Sequence, residues 1–406
     1  MESGIRVLHV LGRLDRGGAE TMVMNLYRHM DRRRIQFDFV IHTEDVCDYT
    51  REVQELGGRI YSMAPFGVST AGHYRRDWRN FFCAHPEYRM IHGHMRSTAS
   101  LYLAEAKRAG LVTIVHSHNT SSGHGVTALV KNVLQYPLRW QADYLFACSK
   151  GAGIWLYGRR ACDSARFRLL YNGITAVDFR FDPAMRQAKR RELLGDTAQD
   201  CPVFLHIGRL EPQKNHTFLL RIMQELAVRR PAARLWLCGC GPLDAALKRQ
   251  AQESGLAGRV CFLGVRTDIP GLMQAADMVL FPSLFEGLPV TLVEAQAAGL
   301  PVLMSDTVTP EAALTDLVRT LPLSEPPTRW AETALQMLPD GDGACVAETG
   351  KTAGTERAAY AALVARGGYD AAENAARLAR FYEDALRQAD GKDDRKNSGK
   401  SRSGGT

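Results

Sequence analysis

At 406 residues, 45% hydrophobic and 23% charged, the chain can fill two domains with separate cores, and its composition excludes a disordered or fibrous class. No apolar run reaches the roughly 18 residues that cross a bilayer, and the start MESGIRVLHV enters a strand without a leader's basic and apolar segments, so a cytoplasmic protein is expected. The net charge of +7 lies in the first half, where Met1 to Arg180 holds 24 Lys and Arg against 16 Asp and Glu; that excess suits either plain surface charge or an anionic membrane face, while its dispersion and the lack of a recognition motif argue against nucleic acid.

In chain order, Ile5 to Leu11 reads as a strand, Gly12 to Gly18 as a glycine-rich turn, and Ala19 to Met30 as a helix with one apolar face. The turn lacks the G-x-G-x-x-G spacing of a dinucleotide fold, which weakens a dehydrogenase reading. Strands at Phe37–His42, Arg59–Met63 and Met90–His92 alternate with helices at Tyr49–Leu56, Tyr74–Cys83 and Ala99–Ala109, a βαβ series that implies a parallel sheet. Two histidine pairs follow strands, His92 with His94 and His116 with His118. No acid or cysteine stands at ligand spacing to them, so no metal site is expected. One of the second pair ends the strand Val112–Val115 at the sheet's carboxyl edge, where ligands bind, and is read as an active-site group; His124 falls in a polar loop. Asp143–Ala147 is a further strand, and Ser149 caps the helix after it. The nine cysteines contain no C-x-x-C pair and read as reduced thiols.

The second half opens with a strand at Val203–Ile207, the loop GRLEPQKN and a helix from His216. Arg209 and Lys214 in that loop put two cations before a helix N-terminus, an arrangement suited to a phosphate. As loop residues, both should bear on turnover more than on melting. Glycine turns follow the strands Leu235–Cys238 (Gly239, Gly241) and Val260–Leu263 (Gly264). Next comes AADMVLFPSLFEGLPVTLVEAQAAGLPVLMSDT: a buried strand to Phe281, a turn, a helix with Pro289 at its first position and Gly299 just past its end, and a strand from Leu300. Glu286 sits in the turn and Glu294 inside the helix, on an apolar stripe where a solvated acid has no place. Two acids beside a helix N-terminus at a sheet's carboxyl edge suggest hydroxyl groups held next to a phosphate. Asp340–Thr355 reads as loop and Tyr369–Leu386 as an amphipathic helix packing through Ala372, Ala376, Leu378, Phe381, Tyr382 and Leu386. Lys392–Thr406 reads as a disordered tail.

Glu286, seven residues and Glu294, within FEGLPVTLVEAQAAGLPVL, resemble the paired glutamates of retaining GT-B glycosyltransferases of family GT4. GGAETMVMNLYRHMDRRRIQFDFV, HSHNT, FACSKGAGIWLYG and LVRTLPL extend the resemblance over most of the chain, nearest to bacterial exopolysaccharide and capsular polysaccharide transferases. It implies an α/β fold of two Rossmann-like domains facing a cleft: an acceptor domain, 1–175 with the helix 369–388 packed back on it, and a donor domain, 176–368, with 389–406 as tail. It further implies that Glu294 binds the donor ribose and Glu286, with Gly287 and Leu288, the sugar. Gly17 and Gly18 would approach the diphosphate or the acceptor, and Gly239, Gly241 and Arg266 the base. Tyr171–Ile174 would be the hinge, and His118 rather than His116 the active-site histidine.

The implied reaction carries a hexose from a nucleotide diphosphate sugar, UDP-linked by preference, to a lipid-linked or polysaccharide acceptor. Arg209, Lys214 and the helix start near Gly287 meet the charge that develops on the diphosphate, so no metal or other cofactor is expected. A GT-B sugar-nucleotide epimerase and a non-catalytic nucleotide-sugar binder remain the alternatives. A peripheral membrane location would follow from the basic first half, with the helix that holds Arg75, Arg76, Arg79 and Trp78 as one candidate face, although its aromatics equally suit a core.

Overall fold

The computed structural model describes residues 4–118, 126–195, 201–338 and 353–400. Two compact units emerge, Met1–Gly173 with Ala371–Thr406, and Ile174–Asp370. The first holds a parallel sheet of β1 (Ile5–Val10), β2 (Ile35–Ile41), β3 (Ile60–Ser62), β4 (Met90–Gly93), β5 (Val112–Ser117), β6 (Tyr144–Ala147) and β7 (Phe167–Leu169), in the order β3-β2-β1-β4-β5-β6-β7. The second holds β8 (Val203–Ile207), β9 (Arg234–Cys238), β10 (Val260–Gly264), β11 (Met278–Phe281), β12 (Val302–Ser305) and β13 (Val318–Leu321), in the order β10-β9-β8-β11-β12-β13. All paired strands are parallel, because every connection is a crossover, mostly helical, that returns the chain to the same edge.

Apolar strand runs become doubly covered strands, as parallel sheets require. β2 is buried at all seven positions, and its one acid, Asp38, is satisfied by a two-pronged bond from Arg6 (2.6 Å each), by Tyr88 Oη (2.7 Å) and by the Arg59 N–H (2.7 Å). Met22, Val23, Leu26 and Tyr27 of the helix Gly18–His29 share a core with Leu378 and Tyr382 of the last helix, Ala371–Lys400. That helix shows two departures from the sequence reading. Ala375 and Ala379 are buried while Ala372 and Ala376 face out, since in an alanine-rich helix the apolar pattern does not fix which stripe turns inward. Helix also continues to Lys400, past the start of the expected tail, because adding residues to an anchored helix carries no nucleation cost.

Helices at Val126–Gln135, Pro183–Leu194, Asp244–Glu253 and Ala353–Val364 were not apparent from periodicity, and the last begins inside the stretch read as loop. His124 and residues 339–352 lie outside the described residues. The helix Ala71–Ala84 buries Trp78 and Phe82, and its Arg75 and Arg79 pair with Glu105, so those aromatics are core and leave no apolar face for a membrane. No helix among the described residues is long and apolar enough to cross a membrane.

Candidate active site

In each sheet the winding reverses beside the first strand, and there the loops at the carboxyl edge part to leave a crevice. In the second unit the reversal falls between β8 and β11. The loop after β8 ends at Asn215, whose left-handed backbone (φ 55°) turns the chain into the helix His216–Arg229. Gln213 ties this loop to the one after β11: its carbonyl accepts from the Leu284 N–H (2.8 Å) and its side-chain amide donates to the Phe285 carbonyl (2.9 Å). Next to it the Lys214 ammonium meets Glu286 Oε1 at 2.5 Å, both side chains being less than one-fifth exposed, and lies 5.0 Å from the centre of the Phe281 ring. Two residues 72 apart in sequence thus form one nearly buried ion pair at the mouth of the crevice.

Glu294 is the fifth residue of the helix Val290–Ala297, which Pro289 precedes as an extended cap rather than opening as its first residue. Its carboxyl has no hydrogen bond or ion pair among the described residues, and desolvation raises its pKa to about 7. Burial, with Glu294's charge among the smaller influences, pushes the Cys238 thiol at the end of β9 up to about 11, which places the carboxyl toward that strand's edge. A desolvated acid with a raised pKa at a sheet's carboxyl edge is a candidate ligand site. Gly239 adopts φ 142°, and a Cβ there would overlap the Gly208 carbonyl oxygen; one at Gly241 would overlap Leu210's backbone. These glycines therefore let the loops after β8 and β9 touch. Leu288 is buried.

Arg209 and Arg266 stand apart from this cluster. Arg209 is 70% exposed and, among the described residues, pairs with Glu211 (3.0 Å). Arg266 is bound to both carboxylate oxygens of Asp268 (2.8 and 2.6 Å) and to Glu192 (3.3 Å), so it braces the loop after β10 and holds Asp268 well below the usual carboxylate range. A role toward a base would require Arg266 to leave those partners.

The first unit gathers neutral imidazoles instead. His9 on β1, His92 within β4, His94 just after it and His116 on β5 are buried, and His118 follows β5 with part of its surface exposed. His9 Nδ1 lies 3.0 Å from His94 Nε2, and His94 Nδ1 lies 2.9 Å from His118 Nε2. Burial, reinforced by Arg96, lowers the pKa of His118 to about 3, and burial keeps the other four neutral as well. At neutral pH, His118 is therefore an uncharged ring. The histidine pairs lacked ligand partners at sequence spacing, but the parallel register of β1, β4 and β5 makes them partners of one another. His9 went unremarked, its only signal being a polar residue in the run IRVLHV. Gly17 caps the helix Gly18–His29, and a side chain on it would strike Glu20, whereas one on Gly18 would meet nothing.

The profile described as "Glycosyltransferase Family 4" matches residues 16–176, and that described as "Glycosyl transferases group 1" matches residues 201–340. EpsF of Bacillus subtilis (strain 168), named as a glycosyltransferase, is 37% identical over 382 residues, 93% of this chain and 96% of that protein. The chain belongs to glycosyltransferase family 4. An Escherichia coli relative, named UDP-Gal:alpha-D-GlcNAc-diphosphoundecaprenol alpha-1,3-galactosyltransferase, is 27% identical over 54% of this chain and 58% of its own length. Among solved structures, HepE of Anabaena in complex with UDP superposes with a TM-score of 0.73 at 20% identity, covering 94% of this chain and all of HepE. WaaG, a glycosyltransferase involved in lipopolysaccharide biosynthesis, gives 0.69 at 16%, with 92% and 99% covered. The two parallel-sheet units are thus the two domains of a GT-B fold, and this family 4 glycosyltransferase is related to enzymes of polysaccharide biosynthesis.

Proposed function

We propose that the enzyme moves a hexose from a UDP-sugar to a hydroxyl of a lipid-linked saccharide or growing polysaccharide, with retention at the anomeric carbon and without a divalent ion at the diphosphate. The observation that carries this reading is Glu294, a desolvated carboxyl without a partner at the same sheet edge as the Lys214–Glu286 pair. A carboxylate there suits the two ribose hydroxyls of a nucleotide. Glu286 suits a sugar hydroxyl, with Lys214 beside it for a phosphate oxygen. As the anomeric C–O bond breaks, negative charge grows on the diphosphate; Lys214 and the first-turn N–H groups of the helix Val290–Ala297 would stabilise it, and Arg209 would join them by leaving Glu211 and swinging in from solvent. The UDP-Gal donor and diphosphoundecaprenol acceptor in the Escherichia coli relative's name, and the UDP and UDP-glucose held by HepE, support the donor and acceptor classes.

The test is incubation with labelled UDP-sugars and a bacterial lipid extract in the presence of EDTA. Label should pass into the lipid fraction with the donor's anomeric configuration. Tight UDP binding with no transfer to any acceptor would favour the non-catalytic binder instead.

Contact with an anionic membrane forms part of the proposal, carried by a different surface from the one the sequence suggested. Leu129, Val133, Tyr136 and Trp140 recur at helical spacing along Val126–Gln135 and Leu138–Gln141, each more than half exposed. The Arg139 guanidinium lies over the Tyr136 ring, 4.1 Å from its centre, and 5.4 Å from that of Trp140. Exposed aromatics interleaved with cations suit the headgroup region of a bilayer.

A further inference from the structure

From the buried imidazole cluster of the first unit we infer that His94, His116 and His118 form a binding site for one divalent transition-metal ion, of the borderline class typified by Zn²⁺. Each residue offers one ring nitrogen, and the three nitrogens lie within 4.8 Å of one another. Ligands about 2.0–2.1 Å from a tetrahedral ion are about 3.4 Å apart, so binding requires the rings to turn and close in on the ion by about 1 Å.

The second observation is the state of His116. Its side chain is fully buried, yet neither of its ring nitrogens has a hydrogen-bond partner among the described residues; its ring stacks on His118 with centroids 4.2 Å apart. A neutral imidazole carries one donor and one acceptor, and native interiors seldom leave both unmet. His118 Nδ1 is unpartnered as well. A metal ion would take up the unmet lone pairs of His116 and His118 and would replace the bond between His94 Nδ1 and His118 Nε2 (2.9 Å).

The surroundings fit such an ion. His9 Nδ1 meets His94 Nε2 at 3.0 Å and can fix the tautomer that turns Nδ1 of His94 toward the ion, the part an outer partner plays at metal-bound histidines. A second trio, His9, His92 and His94, has similar spacing, but all three are buried and His92 Nδ1 is bonded to Tyr382 Oη at 2.6 Å. The trio with His118 is the one that reaches the surface and so has a path of entry. Three neutral ligands leave one tetrahedral position open. Arg96, whose charge faces His118, favours an anion such as hydroxide there. None of the residues proposed for the donor takes part, so this inference stands or falls apart from that reading.

The test uses the full chain, stripped with chelator and titrated with Co²⁺ as a coloured probe and with Zn²⁺ in competition. One equivalent should bind, with the visible absorption of a nitrogen-ligated tetrahedral site. His116→Gln and His118→Gln should each weaken binding by about 100-fold, while a circular-dichroism spectrum and a cooperative urea melt like those of the wild type show that the protein is folded. Should His116→Gln fail to fold, His118→Gln at the partly exposed end gives the same readout. Three results would overturn the proposal: no binding by the wild type, undiminished binding by His118→Gln, or binding lost when the exposed thiols Cys83 and Cys240 are changed to Ser.

Discussion

The two sheets wind in the same order through their first six strands and open the same kind of crevice, yet they place opposite chemistry in it. Between β8 and β11 the edge carries charge, with Lys214 locked to Glu286 and Arg209 in solvent, beside Glu294, an acid held back from ionising by burial. Beside β1, β4 and β5 it carries imidazoles kept neutral by the same burial. A charged edge suits an ionic leaving group, where the cost of desolvation is offset by ion pairing; a neutral edge suits hydroxyls or a metal ion. Winding order thus fixes where a ligand binds, and side chains at the strand ends decide which one.

The largest expected effect lies in the charged crevice and separates its two cations. Lys214→Ala strands Glu286 as a nearly buried, unpaired acid, so it should cost roughly 3 kcal/mol of stability and at least about 100-fold in turnover. Arg209→Ala should lower turnover and leave the unfolding free energy, read from urea melts, within about 0.5 kcal/mol of wild type. The sequence alone predicted unchanged melting for both. Equal midpoints for the two variants would mean that the Lys214–Glu286 pair does not hold the loops together.

Next in size is Glu294. The folded protein keeps its proton up to about pH 7, whereas an unperturbed glutamate loses it near 4.5. The unfolded chain therefore ionises first, and the nucleotide-free protein should lose stability, on the order of 3 kcal/mol at most, as pH rises between those values, with no further change above. UDP affinity should rise over the same window as the carboxylate forms. Glu294→Gln should flatten the stability slope and weaken UDP binding by about 1.5 to 3 kcal/mol. Denaturant melts and calorimetry at pH 5 and pH 8 check both, and a variant with wild-type affinity would remove Glu294 from the nucleotide site.

The smallest effect sharpens the comparison from the first unit's outer surface. Tyr136→Ser with Trp140→Ser should cut co-sedimentation with anionic vesicles about tenfold, and moderate salt should release the wild type, since each basic residue near such a surface contributes about 1 kcal/mol. Neutral vesicles should bind neither protein. If the double variant sediments as the wild type does, the membrane contact lies elsewhere on the chain.

Much of this protein was legible in its sequence. Apolar runs identified eleven of the strands, their alternation with helices gave parallel sheets, and Glu286 and Glu294 stood out because an acid on a buried stripe has no bland role. Strand β7, Phe167–Leu169, was missed because three half-exposed residues carry no period. Arg266 looked available beside a glycine turn until Asp268 and Glu192 engaged it. Trp78 and Trp140 both sit among basic residues, but one is fully buried and the other 63% exposed. Local sequence reports periodicity, caps and turns, because those depend on neighbours a few residues away. Pairing does not: Lys214 finds Glu286 across 72 residues, and His9 finds His94 across 85, only after parallel crossovers have set β8 against β11 and β1 against β4. The chain by itself determined which strand ends would carry charge and which histidine, while tertiary structure decided which of those groups satisfy one another and which are left for a ligand.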